Sequence, residues 1–439
     1  MSKIISTIKS FRHSQLFKDS FWAVFGNGVG NGILLISGII IARFLGRDLY
    51  GEYGFVKTTM LYLGTFATLG LGTTSTKFIA KAVKNNSNDT KSLIDDSISI
   101  SLLSSSIIAA VLIIFASPLA RFLENPEMSF PIRILGIVIV FRSLQLTQSG
   151  ILAGYSKFNI IAKNNIISSV LLLILASFLT YYFGLIGALV SLASSQGLIC
   201  ILNLFYIIKL KNTLINQLYI KQKKNLIKFS IPIALQDISY TLTQWGGTII
   251  ITKYSTIGQL GILNVTLQWN SIVLLIPSLL VNVILSHLSR TVDDSQSHIK
   301  LLKTMLICNF LCTIIPFIFV YFLATWISNL YGPTFFEMPN VLRVIIFMTV
   351  FNCCSRVFNA EFIAQSKTWM LFAIRCCRDI LGLILCYYLI SIWGKEAGAM
   401  SYAISAVTTE ILYFIILVLW FLSFSKKFKN LGSKYNLMD

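Results

Sequence analysis

Twelve stretches of this chain are apolar over the roughly 20 residues that a helix needs to cross about 30 Å of hydrocarbon. They lie at 20–42, 54–76, 97–117, 132–154, 160–181 and 186–208, then at 230–252, 261–287, 304–327, 341–363, 372–393 and 397–423. Of the 439 residues, 55% are hydrophobic and only 12% are charged, against about 25% charged in an ordinary soluble domain. Water cannot solvate such a surface, but lipid can. In lipid the backbone must satisfy its own hydrogen bonds within each crossing, so the expected fold is an all-α polytopic membrane protein of about 12 transmembrane helices.

The net charge of +19 would suit nucleic acid if it were gathered on one domain. Instead the lysines and arginines punctuate the gaps between apolar runs, so nucleic acid is not an expected partner. With the N-terminus placed inside, the inner gaps and the helix ends beside them hold 26 Lys and Arg, and the outer ones hold 7. That bias places both termini in the cytoplasm. Residues 1–18 interleave Lys3, Lys9, Arg12 and Lys18 with Ile4, Ile5, Ile8, Leu16 and Phe17, the pattern of an amphipathic lead-in at the inner interface.

The chain also repeats itself. Ile39-Ile40-Ile41-Ala42-Arg43-Phe44 and then Leu49-Tyr50-Gly51-Glu52-Tyr53-Gly54 close one run and open the next. About 210 residues later stand Ile249-Ile250-Ile251-Thr252-Lys253-Tyr254 and Gly258-Gln259-Leu260-Gly261. Arg133 maps onto Arg343, and Ser156-Lys157 onto Ser366-Lys367, at that same offset. Six runs per half is an even number, so the copies share orientation and form a parallel repeat. The expected organisation is a first lobe at 1–208, a basic cytoplasmic linker at 209–229 and a second lobe at 230–439. These would be two pseudo-symmetric six-helix lobes around a central cleft. Residues 43–53 are expected to form a tight outer turn with Arg43, Arg47, Asp48 and Glu52 in water. Gly26, Gly28, Gly30 and Gly32 are expected to serve close helix packing or a flexible gate.

A charge at the bilayer centre costs roughly 2.5–3.5 kcal/mol, so polar groups within the runs should face a cavity or one another. The substrate-binding candidates are Asn27 and Asn31 in the first run, Lys57 in the second, and Arg142 and Gln145, aligned with Ser149, in the fourth. Gln244 shares a stripe of the seventh run with Asp237, Thr241 and Thr248. Asn264 and Gln268 lie in the eighth run, and Asn352 and Arg356 in the tenth. The first half keeps every carboxylate at a helix end or in a loop, which leaves Lys57 and Arg142 without an acid. The second half buries Asp237 and Glu410, the candidates for binding a coupling ion, H+ or Na+. Arg375 and Asp379 are spaced i,i+4 and are expected to pair.

No loop carries paired carboxylates, a nucleophile with its base, or a phosphate-cradling glycine turn, and no outer loop could hold a catalytic domain. The eight cysteines and three histidines do not fall at metal-ligand spacing. The chain is therefore expected to be no enzyme, with no catalytic residues, no metal and no cofactor.

Arg43-Phe44-Leu45-Gly46 through Tyr50-Gly51-Glu52-Tyr53-Gly54, Leu69-Gly70-Leu71-Gly72 and Ser230-Ile231-Pro232 together resemble polysaccharide flippases of the Wzx type. Those belong to the multidrug/oligosaccharidyl-lipid/polysaccharide (MOP) exporter superfamily. The resemblance implies a multi-pass protein of the bacterial inner membrane. It would move undecaprenyl-pyrophosphate-linked oligosaccharide units from the cytoplasmic to the periplasmic leaflet by alternating access, for O-antigen or capsule synthesis. The implied partners are the lipid-linked oligosaccharide, membrane lipid, a polysaccharide polymerase and a chain-length regulator. A multidrug and toxin extrusion-type cation antiporter has the same two-lobe plan and stays open as an alternative, although organic cations would favour acids in both lobes. A membrane polysaccharide polymerase would need a larger outer loop.

Overall fold

Helix α3 (Thr90–Ile114) shows how this sequence solves its solvent problem. Ser97, Ser101 and Ser105, one turn apart, are buried, while Leu103, Ile107 and Ile114 are 65%, 57% and 71% exposed. The helix is inside out relative to one in water: its small polar stripe packs inward and its aliphatic stripe meets lipid. Each buried serine of the stripe returns its hydroxyl to the carbonyl one turn back or shares it across a helix contact, as Ser101 Oγ does with Ser143 Oγ at 3.0 Å.

The computed structural model describes residues 15–85, 89–212, 223–278, 295–365 and 367–435. Among these, α1 spans Gln15–Ala67, α2 Leu71–Lys84, α4 Ala116–Phe122, α5 Ser129–Gly154, α6 Phe158–Asn212 and α7 Lys223–Tyr254. There follow α8 (Ile257–Val273), α9 (Ser295–Phe322), α10 (Ala324–Tyr331), α11 (Met338–Ala364), α12 (Thr368–Trp393) and α13 (Gly398–Tyr435). The protein is an all-α multi-pass membrane protein. Helix falls on every expected crossing, to the extent that these lie within the described residues. The lead-in to residue 14, the linker at 213–222, the end of the eighth run from 279 and Ser366 lie outside them.

Seven helical stretches among the described residues are long and apolar enough to cross a membrane, and two of these, Gly28–Ala67 and Phe158–Asn212, run to 40 and 55 residues. That is about twice the length of one crossing. In each, one glycine leaves helical geometry, Gly46 (φ 70°, ψ 176°) and Gly184 (φ 54°, ψ −132°). The two arms of α6 double back about Gly184. Asn164 Nδ2 donates to Asn203 Oδ1 at 2.8 Å, and Ser168 Oγ to the Ser195 carbonyl at 2.8 Å, both pairs nearly centred on the break. A left-handed φ favours glycine there because a Cβ would collide with the following carbonyl.

The chain divides into two compact units, Met1–Ile249 and Ile250–Asp439, with α7 running through the boundary. Where both copies are described, elements recur at an offset of about 210 residues, α4 and α5 answering to α10 and α11. Gly184 has its counterpart 210 residues on in Gly394, also left-handed at φ 87°. Gly46 has Thr256, an extended N-cap whose hydroxyl accepts from Gln259 N. The succession of buried and half-buried positions along 141–150 recurs residue for residue along 351–360. Arg133 donates to Ser117 in the first unit, as Arg343 does to Thr325 in the second.

Three local expectations need correction. The stretch at 43–53 is helical except at Gly46, and only part of it is wet: Glu52 is 6% exposed and Tyr50 and Tyr53 are fully buried. The second run is not one helix, because α1 stops at Ala67 and α2 begins at Leu71 after Leu69 (φ 50°) and Gly70 (φ 70°). Close packing does not use Gly28 or Gly32, where a Cβ would meet nothing within 4 Å. It uses Gly150, where a Cβ would stand 2.0 Å from the Gly72 carbonyl oxygen, and Gly154 one turn on, against Ile79. Thr76 Oγ1 donates to Gly150 O at 2.9 Å and ties the crossing of α2 and α5. Gly150→Val should therefore destabilise the protein by about 3 kcal/mol or more, read as a lowered thermal midpoint in detergent, while Gly28→Val leaves the midpoint where it was. Equal effects of the two would refute this packing.

Candidate functional site

In the first unit α5 crosses α1 at Gly64, where an added Cβ would lie 2.5 Å from Arg142 Cγ. The missing side chain lets the arginine stem lie flat across α1. Lys57 is seven residues earlier on the same face of α1, about 10 Å along the axis. Arg142 Nη1 donates to Gln145 Oε1 at 2.7 Å, and Gln145 Nε2 reaches Ser149 Oγ at 3.5 Å. The i+3 and i+7 spacing read from the sequence is thus a hydrogen-bonded ladder down one face of α5. Arg142 Nε is buried without a hydrogen-bond partner. Among the described residues no carboxylate stands within ion-pair distance of Arg142 or Lys57. Cys200 on α6 donates to the Phe141 carbonyl at 2.9 Å and closes the site behind the arginine. Two cations without acids and a chain of neutral polar groups suit an anionic, hydroxylated ligand.

The second unit places Asn352 in the register of Arg142, and the cation moves one turn on. Arg356 Nε donates to Asn352 Oδ1 at 2.8 Å. Glu410 on α13 is 4% exposed, and its Oε2 takes a hydrogen bond from Arg378 Nη1 at 3.1 Å. Arg378 also binds Asp379 Oδ1 through Nε at 2.8 Å and Nη2 at 2.6 Å, with its guanidinium 4.7 Å from the Tyr413 ring centre. Tyr413 in turn donates to Asn359 Oδ1. Glu410 Oε1 is buried without a hydrogen-bond partner. Asp379 therefore pairs with Arg378 and not with Arg375, whose Nε points to Tyr413 Oη at 3.4 Å. An i,i+4 pair was expected, but the adjacent arginine reaches the same carboxylate while its own Nη1 spans to α13.

Sequence reasoning missed Arg378 because it counted that residue with the inner-gap charges; its adjacency to Asp379 was the available signal. It also missed the pair formed by His298 on α9 and the fully buried Glu361 on α11, with Nε2 at 2.8 and 2.9 Å from the two carboxylate oxygens. Those residues are 63 positions apart, and no local pattern links them.

The other candidates are dispersed. Asn31 is exposed, and Lys57, Gln244 and Gln268 are half-buried. Asn264 turns back to the Leu260 carbonyl at 2.9 Å. The side chains of Asn27 and Asp237 lie outside the described residues. The structure thus joins Arg142 with Gln145, Asn352 with Arg356, and Glu410 with Arg378.

Comparison with known proteins bears on this arrangement. A Shigella flexneri protein named "Putative O-antigen transporter" is 23% identical over 408 residues, covering 90% of this chain and 96% of the relative. An inward-facing multidrug resistance transporter of the MATE family, in the MOP superfamily, superposes with a TM-score of 0.77 at 14% identity, over 91% of this chain and 95% of its own. The lipid II flippase MurJ, inward closed, gives 0.69 at 17% identity over 90% and 86% of the two chains. Both establish a shared transporter fold. The family model described as "Polysaccharide biosynthesis protein" matches residues 16–287, and the chain belongs to that family.

Proposed function

We propose that the protein is a flippase that carries lipid-linked oligosaccharide units from the cytoplasmic to the periplasmic leaflet of a bacterial inner membrane, by alternating access. The observation that carries this reading is Arg142, held within the first unit with no acid beside it and Nε unbonded. A pyrophosphate-linked lipid brings the charge that this arginine lacks, and the field of a low-dielectric site makes even one or two cations attractive to phosphate. The relative's description as an O-antigen transporter supports the same class of substrate. O-antigen or capsule is the polymer proposed, with a polymerase and a chain-length regulator as the proteins that act next.

Glu410 is the proposed coupling group. Its buried Oε1, without a hydrogen-bond partner, would take a proton or sodium ion while Arg378 holds Oε2. A cation antiporter would need acids free to receive its substrate. Here Arg378 already occupies Glu410, and the first unit offers Lys57 and Arg142 instead.

Replacing Arg142 by Gln should abolish surface polymer, with unchanged protein level and lipid-linked oligosaccharide accumulating on the cytoplasmic leaflet. Accumulation on the periplasmic leaflet would point to a later step, and full activity would remove Arg142 from the mechanism. Arg378→Gln should destabilise the protein by about 3–5 kcal/mol, because it strands a buried carboxylate. Adding Glu410→Gln should restore part of the thermal midpoint, since Asp379 stays unpaired, but not transport. A double variant that transports normally would exclude the pair from coupling.

A further inference from the structure

Where α1 breaks before α2, the first unit has a half-open cavity of about 390 Å³ whose polar lining is Thr65, Thr68, Thr73, Thr76, Ser149 and Asn165. That volume lies in the range of small-molecule sites. Among the described residues the lining contains no lysine, arginine, aspartate or glutamate. It joins the ladder already described, because Ser149 is both the last rung below Arg142 and part of the wall.

The threonines are not free to act as donors. Thr65 gives its hydroxyl hydrogen to Leu61 O, Thr68 to Thr65 O and Thr73 to Gly70 O, at 2.8, 2.7 and 3.0 Å. Thr76 bonds to Gly72 O and Gly150 O, at 2.9 Å each. A hydroxyl so engaged keeps only lone pairs for a ligand. The threonines therefore present acceptors, while Ser149, whose oxygen takes a hydrogen from Gln145, keeps its own hydrogen to give and the Asn165 amide is a mixed group. Leu69 and Gly70, both at positive φ, hold this break open within a membrane-spanning region. Irregular backbone at that depth persists where it lines a cavity, and strain of this kind gathers at ligand sites.

A mostly apolar lining that carries threonine acceptors selects its ligand. Phosphate, itself an acceptor, finds no cation and few donors. An ammonium finds no carboxylate to balance it. A neutral sugar residue supplies hydroxyl donors along its edge and an apolar C–H face, which Phe158 and the threonine methyls can cover. We infer that this cavity is a subsite for a neutral, hydroxyl-rich sugar residue of the substrate, next to the cationic site at Arg142. The inference rests on the flippase reading and adds a division of labour: arginine for the anionic linkage, threonine acceptors for the sugar.

The test uses the full chain in lipid nanodiscs and two probes, undecaprenyl pyrophosphate and the same lipid bearing one N-acetylglucosamine. The unaltered protein should bind the sugar-bearing lipid more tightly. Thr65→Val with Thr73→Val keeps the shape, removes two acceptors and should weaken only that probe, by about tenfold. Ala153→Leu, which fills the cavity without touching a hydroxyl, should act in the same direction, and a thermal midpoint near that of the unaltered protein certifies each variant. Arg142→Gln should weaken both probes. Equal loss for the two probes in the threonine variant, or no loss for either, would overturn the sugar subsite and leave the flippase reading standing. Failure of the unaltered protein to bind either lipid would overturn the reading beneath it.

Discussion

A hydrocarbon solvent gives no reward for bringing two leucines together, so helices in a membrane must be held by what lipid cannot offer: close backbone approach and hydrogen bonds. The structure depends on that constraint throughout. Gly150 lies against Gly72 so tightly that no side chain fits between them. Serines that would decorate the outside of a soluble helix line the inside of α3, and an asparagine pair ties the two arms of α6. Some aliphatic residues still build buried clusters, such as Leu71, Ile79, Ile94 and Ile151, but many others are left to meet the lipid outside.

The same constraint gives the charged groups their meaning. A buried arginine that has found carboxylates, as Arg378 has in Asp379 and Glu410, is a solved problem and stabilises the packing of α12 on α13. Arg142 has only an amide for company, and its stem needs the absence of a side chain at Gly64. A fold that retains such a group accepts an expense that packing alone does not explain, and that the proposed ligand would offset.

Much of this was legible in the sequence, for physical reasons. Crossing length and charge bias are properties of short segments, so the helices, their membrane setting and the offset of 210 could be read directly. The offset reappears in Gly184 and Gly394 because a turn that needs left-handed backbone needs the same residue in both copies. The ladder Arg142–Gln145–Ser149 was legible because i+3 and i+7 positions share a helix face. The break at Leu69 was not: nothing in an apolar run announces that a leucine will adopt positive φ. Nor was the partner of Asp379, since two arginines lay within reach and only the position of α13 decides between them. Glu52 was read as wet because it is charged and near a turn; the helix continues past Gly46 and carries it inward.

The difference between paired and unpaired cations also has an electrical side. A membrane potential acts on net charge, at about 2.3 kcal/mol per elementary charge per 100 mV. The Arg378–Glu410 pair adds nothing to that sum while Glu410 is ionised and carries no ion. Arg142 adds a full positive charge while its site is empty and much less when an anionic group rests on it. On the proposed reading an empty and a loaded first unit would feel the transmembrane voltage differently, and the return of the empty carrier would be the voltage-sensitive half of the cycle.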